Sequence, residues 1–181
     1  MGSDSVNTKI YIGALIVVVL QLFIGPIISI NAVVPNLLLA YTIVCIVIRP
    51  EKMHLIFAFV MGLIYDLCFN GPVGAMAFVM VVFSFIVAKV LLRLSEINLG
   101  ISLLTIGISV FFVELFYGVF QVSILVNASF MDVLAYRILP CTIYDVILAF
   151  IMFAVMARLI APPVTASNTI QSSVNEVNTS R

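Results

Sequence analysis

The feature that most constrains the fold is the long stretch between Lys9 and Arg49, which contains no charged residue. A membrane-spanning helix needs about 20 apolar residues to cross about 30 Å of hydrocarbon. The stretch suits two crossings, because helix-breaking and polar residues gather near its middle, from Gly25 to Asn36. Overall, 64% of the 181 residues are hydrophobic and 9% are charged, whereas soluble domains carry about 25% charged residues. These values indicate an integral membrane protein.

We predict an all-α bundle of six transmembrane helices that forms one domain, residues 10–160. The spans are placed at Ile10–Ile24, Val34–Ile48, His54–Phe69, Gly74–Leu92, Leu99–Val126 and Ile138–Ile160. We expect a short cytoplasmic segment at 1–9, an outer loop at 127–137 and a disordered cytoplasmic tail at 161–181, which is rich in Ser, Asn and Thr. Because the third span is short, a re-entrant pair made of the third and fourth spans is an alternative to two full crossings.

The distribution of Lys and Arg predicts the orientation, since cytoplasmic loops carry an excess of these residues. With the N-terminus inside and an even number of crossings, most basic residues fall on the cytoplasmic side. They are Lys9, Arg49, Lys52, Lys89, Arg93, Arg158 and Arg181. Arg137 is the only basic residue on the outer side. We therefore expect both termini in the cytoplasm.

Three acidic residues lie inside the predicted spans: Asp66, Glu114 and Asp145. A charge at the centre of a membrane helix costs about 2.5–3.5 kcal/mol on insertion scales, so such residues indicate function or interhelical contact. Asp66 and Asp145 lie toward the outer ends of their spans, where a cavity open to the outside would hydrate them. Alternatively, the acids are neutral or hydrogen-bonded between helices and fix the packing. We expect Arg137 to neutralise Asp66 or Asp132.

The fifth span carries small and polar residues on one helix face. This stripe consists of Gly100, Gly107, Glu114, Gly118 and Gln121. Small residues let two helices approach closely, and the polar side chains offer hydrogen bonds inside the membrane. The stripe therefore predicts a helix–helix interface, either within the bundle or with a partner. In the third span, Ala58, Gly62 and Asp66 repeat the pattern, again on one face.

The sequence predicts no enzyme, no cofactor and no metal site. His54 is the single histidine, and the three cysteines lie far apart in apolar runs, so we expect them to be small buried residues. The sequence contains no nucleotide-binding loop and no nucleophile motif. Its formal net charge of zero gives no field that would attract nucleic acid. An intramembrane enzyme that uses the acids is the less favoured alternative.

Four short motifs follow one another from the second to the fourth span. They are Pro35-Asn36-Leu37-Leu38-Leu39, Arg49-Pro50, Gly62-Leu63-Ile64-Tyr65-Asp66-Leu67 and Gly71-Pro72-Val73-Gly74. Their order resembles the MreD family of rod shape-determining membrane proteins. The positions that match the family pattern are Pro35, Arg49, Pro50, Gly62, Asp66, Pro72 and Gly74. The last span is also similar to the closing helix of the family, although Asp145 stands where a neutral polar residue is expected.

The resemblance implies a non-enzymatic, multi-pass scaffold in the inner membrane of a bacterium. Proteins of this family are expected to associate with MreC, through it with the MreB filament, and with the RodA glycosyltransferase and its class B penicillin-binding partner. The implied role is to organise lateral peptidoglycan synthesis and maintain cell shape. The implied fold looks like the six-helix substrate-binding component of energy-coupling-factor transporters.

Such a transporter component, which binds a vitamin or a metal in an outward pocket, is the alternative function. It is disfavoured because the first span lacks the expected Ala-x-x-x-Ala docking face: Ala14 is followed by Val18. A small secondary transporter is a third alternative, and we find no internal inverted repeat in the sequence to support it.

Overall fold

The computed structural model describes residues 2–29, 34–51, 55–69, 71–94, 98–124 and 130–160, and this part of the chain is all-helical. Its elements are α1 (Gly2–Phe23), α2 (Leu37–Ile48), α3 (Leu55–Cys68), α4 (Ala75–Arg93), α5 (Leu99–Ile124), α6 (Phe130–Val133), the π-helical turn Leu134–Ile138, and α7 (Leu139–Ile160). The prediction of an all-α fold is confirmed for the described residues. The predicted tail at 161–181 lies outside the described residues.

Four stretches within the described residues are long and apolar enough to cross a membrane. They are Val6–Phe23, Ala75–Arg93, Leu99–Ser123 and Leu134–Leu159. Helices α2 and α3 are also apolar but are shorter, with 12 and 14 residues. At 1.5 Å per residue, α2 is about 18 Å long, whereas the hydrocarbon core of a bilayer is about 30 Å thick. The four long helices are typical of a membrane protein, and the count of six crossings stays a prediction.

The short helix α2 forms the centre of the bundle. Every residue from Leu37 to Val47 is buried, and α2 contacts α1, α3, α4, α5 and α7. A helix that is apolar on all sides is stable only when it is surrounded by other apolar groups. Here the neighbouring helices surround it, so α2 positions the side chains that reach the core from α1, α5 and α7.

Helices α3 and α4 form a tightly packed hairpin. A Cβ added to Gly62 would lie 2.5 Å from the Cα atom of Ala77, so only a glycine allows the backbones to come this close. Ala58, one turn earlier on the same face, is fully buried. The small-residue face predicted for the third span therefore contacts α4, as small residues do in closely packed membrane helices.

Helix α1 packs against α2 on one side and exposes apolar side chains on the other. The Tyr41 hydroxyl donates a hydrogen bond to the Ile10 carbonyl over 2.7 Å, whereas Leu15 is 68% exposed.

A hydrogen bond joins the first helix to the last one. Lys9 Nζ on α1 donates to the Leu159 carbonyl on α7 over 3.1 Å. This contact places the beginning of α1 and the end of α7 at the same end of the bundle.

The predicted outer loop at 127–137 is wrong from Phe130 onward, because α6 and the π-helical turn run directly into α7. The π-helical turn closes with a hydrogen bond from the Leu139 N–H to the Leu134 carbonyl. Pro140 follows, and its ring nitrogen has no N–H to donate to the preceding turn. A π-helical turn accommodates such an irregularity without ending the helix.

The first helix also starts earlier than predicted. Helix α1 begins at Gly2, whereas the first span was placed from Ile10.

Candidate functional site

Asp66 lies near the end of α3 and binds the beginning of α4. Its carboxylate accepts hydrogen bonds from the backbone N–H groups of Gly74 (2.9 Å), Met76 (3.2 Å) and Ala77 (3.1 Å). The first N–H groups of a helix have no partner within that helix, and together they carry a partial positive charge. Asp66 is 2% exposed, and the beginning of α4 supplies the partners that a buried carboxylate requires.

The turn between α3 and α4 gives a structural reason for its glycines. Gly74 has φ of 91°, a left-handed conformation that residues with a Cβ adopt at a cost. Gly71 leaves room for the Tyr117 hydroxyl, which occupies the space that a Cβ would need. The motif positions of the third and fourth spans thus form one unit, in which a tight turn directs the N–H groups of α4 at Asp66.

Side chains from two helices hold the backbone at the start of α2. Asn36 caps its own helix, since its side-chain oxygen accepts from the Leu39 N–H over 2.9 Å. Gln21 on α1 accepts from the Leu37 N–H over 2.7 Å and donates to the Pro35 carbonyl over 3.0 Å. These bonds satisfy groups that would otherwise be unpaired in an apolar core. The Pro35-Asn36 motif therefore marks a helix beginning that lies inside the bundle.

The Arg49-Pro50 motif ends the same helix. The Arg49 N–H donates to the Cys45 carbonyl over 3.0 Å, and Arg49 itself leaves the helical conformation, with φ of −138° and ψ of 68°. A residue before proline disfavours the α region, so the sequence stops α2 at this point. Pro50 is buried.

Asp145 joins α7 to α2 and lies beside a second acid on α5. Its Oδ1 atom accepts a hydrogen bond from the Asn36 N–H over 2.7 Å, and its Oδ2 atom lies 3.6 Å from Cys141 Sγ. One potential ligand atom each from Glu114, Cys141 and Asp145 lies within 4.8 Å of the other two, and all three residues are buried. The structure thus brings two of the three intramembrane acids together with a cysteine, and places Asp66 elsewhere.

The two acids that were predicted to lie toward the outer side are both buried, and both accept hydrogen bonds from backbone N–H groups. Asp66 and Asp145 are 2% and 0% exposed, and each accepts from the start of another helix, α4 and α2 respectively. This arrangement agrees with the alternative in which the acids fix the packing between helices, and a hydrated outward cavity is not needed to accommodate them.

The predicted stripe on α5 is packed at one end and open at the other. Glu114 and Gln121 are buried, and a Cβ on Gly118 would collide with the Ile138 side chain of the π-helical turn. A Cβ on Gly107 would meet no atom of the described structure within 4 Å, because Gly107 lines an open groove. Close packing on this face is therefore found around Gly118, and an interface at Gly107 stays a prediction.

Arg137 lies on the π-helical turn and is exposed. Its positive charge acts on Glu114 and on Tyr117. Asp66 binds the backbone of α4 in place of the predicted pairing with Arg137. The side chain of Asp132, the other predicted partner, lies outside the described residues.

Three residues that hold the start of α2 or lie beside the acids were absent from the predicted site: Gln21, Asn36 and Cys141. Two of them carry a signal in the sequence. Asn36 directly precedes an apolar run, which is typical of an N-cap, and Cys141 lies four residues before Asp145, which places both on one helix face. Gln21 carries no such signal, because its partners follow from the packing of α1 on α2. The expectation that every cysteine is buried is wrong for Cys68, which is exposed.

Comparisons with known proteins identify the family. A search of curated proteins and a search of solved structures find no match to the chain. A family model described as rod shape-determining protein MreD matches residues 6–161. This match covers Asp66 with the start of α4, Asp145 with the start of α2, and nearly the whole helical bundle. The chain therefore belongs to the MreD family, which its short motifs already resembled.

Proposed function

We propose that this protein is a non-enzymatic membrane scaffold that helps to organise lateral peptidoglycan synthesis and so maintains rod shape. The observation that carries the proposal is the family match over residues 6–161. MreD proteins determine rod shape, and four long apolar helices support a location in the membrane. The same match favours shape determination over the alternative of a transporter component.

The buried polar groups support a structural role. Asp66 binds the start of α4, and Gln21, Asn36 and Asp145 hold the start of α2. In an apolar solvent each of these backbone groups would otherwise lack a partner. These polar residues fix the helix ends of the bundle itself, and such a rigid bundle is suited to serve as a body that other membrane proteins bind.

The proposed topology has six crossings with both termini in the cytoplasm of a bacterial inner membrane. The contact between Lys9 and the Leu159 carbonyl supports it, because the N-terminal part of α1 and the C-terminal end of α7 lie at the same end of the bundle. The excess of basic residues at that end of the predicted spans supports the cytoplasmic assignment. A re-entrant α3–α4 pair gives the same location for both termini.

The proposed partners are those of the family: an MreC-like protein, the MreB filament reached through it, RodA and a class B penicillin-binding protein. We expect direct binding to the MreC-like protein. The test is affinity purification of the full chain from native membranes in mild detergent, with an unrelated, equally tagged six-helix inner-membrane protein as control. Enrichment of the MreC-like protein over the control is expected. Enrichment of transporter ATPase subunits instead would contradict the proposal and favour the transporter component.

A further inference from the structure

We propose that Glu114, Cys141 and Asp145 form a binding site for one divalent metal ion of the Zn²⁺ and Co²⁺ class. Cys141 and Asp145 lie one turn apart on α7, and Glu114 faces them from α5. One ligand atom from each residue lies within 4.8 Å of the other two. The three side chains thus converge from two helices on one point in the core.

An unpaired oxygen at the same place points to a ligand. Glu114 is 6% exposed, and its Oε1 atom has no hydrogen-bond partner among the described residues. Buried carboxylate oxygens are normally hydrogen-bonded or bound to a cation, since burial removes their water. A metal ion held by the three side chains would give this Glu114 oxygen a partner.

The distances suit a tetrahedral metal ion. Zinc–sulfur and zinc–oxygen bonds are about 2.3 and 2.0 Å long, and at a tetrahedral angle they separate the two ligand atoms by about 3.5 Å. Cys141 Sγ and Asp145 Oδ2 are 3.6 Å apart. The other Asp145 oxygen is held by the Asn36 N–H, which orients the carboxylate as outer hydrogen bonds do in metal sites.

The donor atoms favour this metal class over Mg²⁺ and Ca²⁺. A thiolate with two carboxylates is a mixed sulfur and oxygen set, which binds Zn²⁺ or Co²⁺, whereas Mg²⁺ and Ca²⁺ take oxygen ligands alone. The Val34 carbonyl oxygen lies 3.8 Å from Cys141 Sγ, so a further oxygen is close to the sulfur.

The charges around the cluster favour a divalent ion. Three ionised ligands carry three negative charges, and a divalent ion leaves one of them uncompensated. Arg137 on the π-helical turn adds a positive electrostatic contribution at Glu114 and Cys141. A smaller net charge matters here, because an uncompensated charge inside a membrane bundle is costly.

The test uses Co²⁺ as the probe, with the full chain purified in detergent and stripped of metal. We expect one Co²⁺ per chain and a thiolate-to-cobalt charge-transfer band in the near ultraviolet. Cys141→Ser is expected to abolish the band, while Cys68→Ser, at an exposed cysteine, keeps it. Asp145→Asn, which keeps an oxygen for the Asn36 N–H, is expected to weaken Co²⁺ binding at least about tenfold.

Circular dichroism and size-exclusion chromatography identify the variants that remain folded, and only these are compared. A wild-type protein that binds no Co²⁺, and whose two acids therefore hold only protons, would overturn the proposal. A band that survives in Cys141→Ser, or that disappears equally in Cys68→Ser, would also overturn it. Because the readout is metal binding and not cell shape, these results are independent of the proposed scaffold function.

Discussion

The carboxylate of Asp66 near the end of α3 accepts a hydrogen bond from the backbone N–H of Gly74 over 2.9 Å, at the first turn of α4. Two further N–H groups of α4 bind the same carboxylate. This contact ties the two helices of the hairpin together at their turn. It also gives a physical reason for an acid and a glycine to stand at this spacing in the motifs.

Replacing Asp66 with Ala is expected to destabilise the bundle by about 2 kcal/mol, because three backbone N–H groups lose their acceptor. Hydrogen bonds in membrane proteins contribute about 0.6 kcal/mol each on average, and bonds to charged acceptors contribute more. Thermal unfolding in detergent measures the effect. Leu67→Ala, at a neighbouring exposed residue, serves as the control and is expected to unfold close to wild type. Equal unfolding temperatures for both variants would contradict the capping role.

Two glycines on different helices, Gly62 on α3 and Gly107 on α5, should respond differently to the same change. Gly62→Ala places a Cβ 2.5 Å from the Ala77 backbone, and neither helix can move without separating the hairpin, so a loss of about 1–3 kcal/mol is expected. Gly107→Ala meets no described atom within 4 Å and should be neutral or slightly stabilising, since alanine favours a helix. The unfolding temperatures of the two variants check this order, and the reverse order would exclude the described α3–α4 packing.

Glu114→Leu is expected to abolish rod growth, because it removes a buried acid from the contact between α5 and α7. Cells that depend on the variant should become round, while Glu114→Gln, which keeps the size and polarity of the side chain, should retain more of the rod shape. Phase-contrast microscopy together with immunoblots of membrane fractions measures both shape and protein level. Normal rods at a normal level of Glu114→Leu would show that this contact is not essential.

The orientation of the chain can be tested with reporters that are active on one side of the membrane. A green fluorescent protein fused after Arg181 is expected to fluoresce, because the proposed topology places the C-terminus in the cytoplasm. Alkaline phosphatase fused after Arg137 is expected to be active, because the proposed topology places this residue on the outer side. A fusion after Arg181 that is active as phosphatase and dark as fluorescent protein would reverse the topology.

The helices themselves could be predicted from the sequence, because charged residues, prolines and glycines mark where each apolar segment stops. The central position of α2 could not, since Leu37 to Val47 have the same apolar composition whether they face lipid or other helices. Helical structure from Phe130 onward was missed because Pro140 indicates a helix beginning, and only the backbone shows that a π-helical turn precedes it.

The site was predictable only in part. Asp66, Glu114 and Asp145 stand out because an acid is costly in an apolar span. The partners of these acids do not stand out in the sequence. The proximity of Glu114 to Asp145 depends on the packing of α5 against α7, and the hydrogen bond from the Asn36 N–H to Asp145 depends on where α2 begins. Neither relationship follows from spacing along the chain.

The central claim, that this protein maintains rod shape, is tested most directly by the length-to-width ratio of cells. A rod-shaped bacterium depleted of its own MreD protein is made to express this chain, and membrane immunoblots confirm its presence. Our account predicts that the wild-type chain restores elongated cells and that the Asp66→Ala variant restores them less. Cells that stay round while the wild-type chain is present in the membrane at a normal level would contradict it.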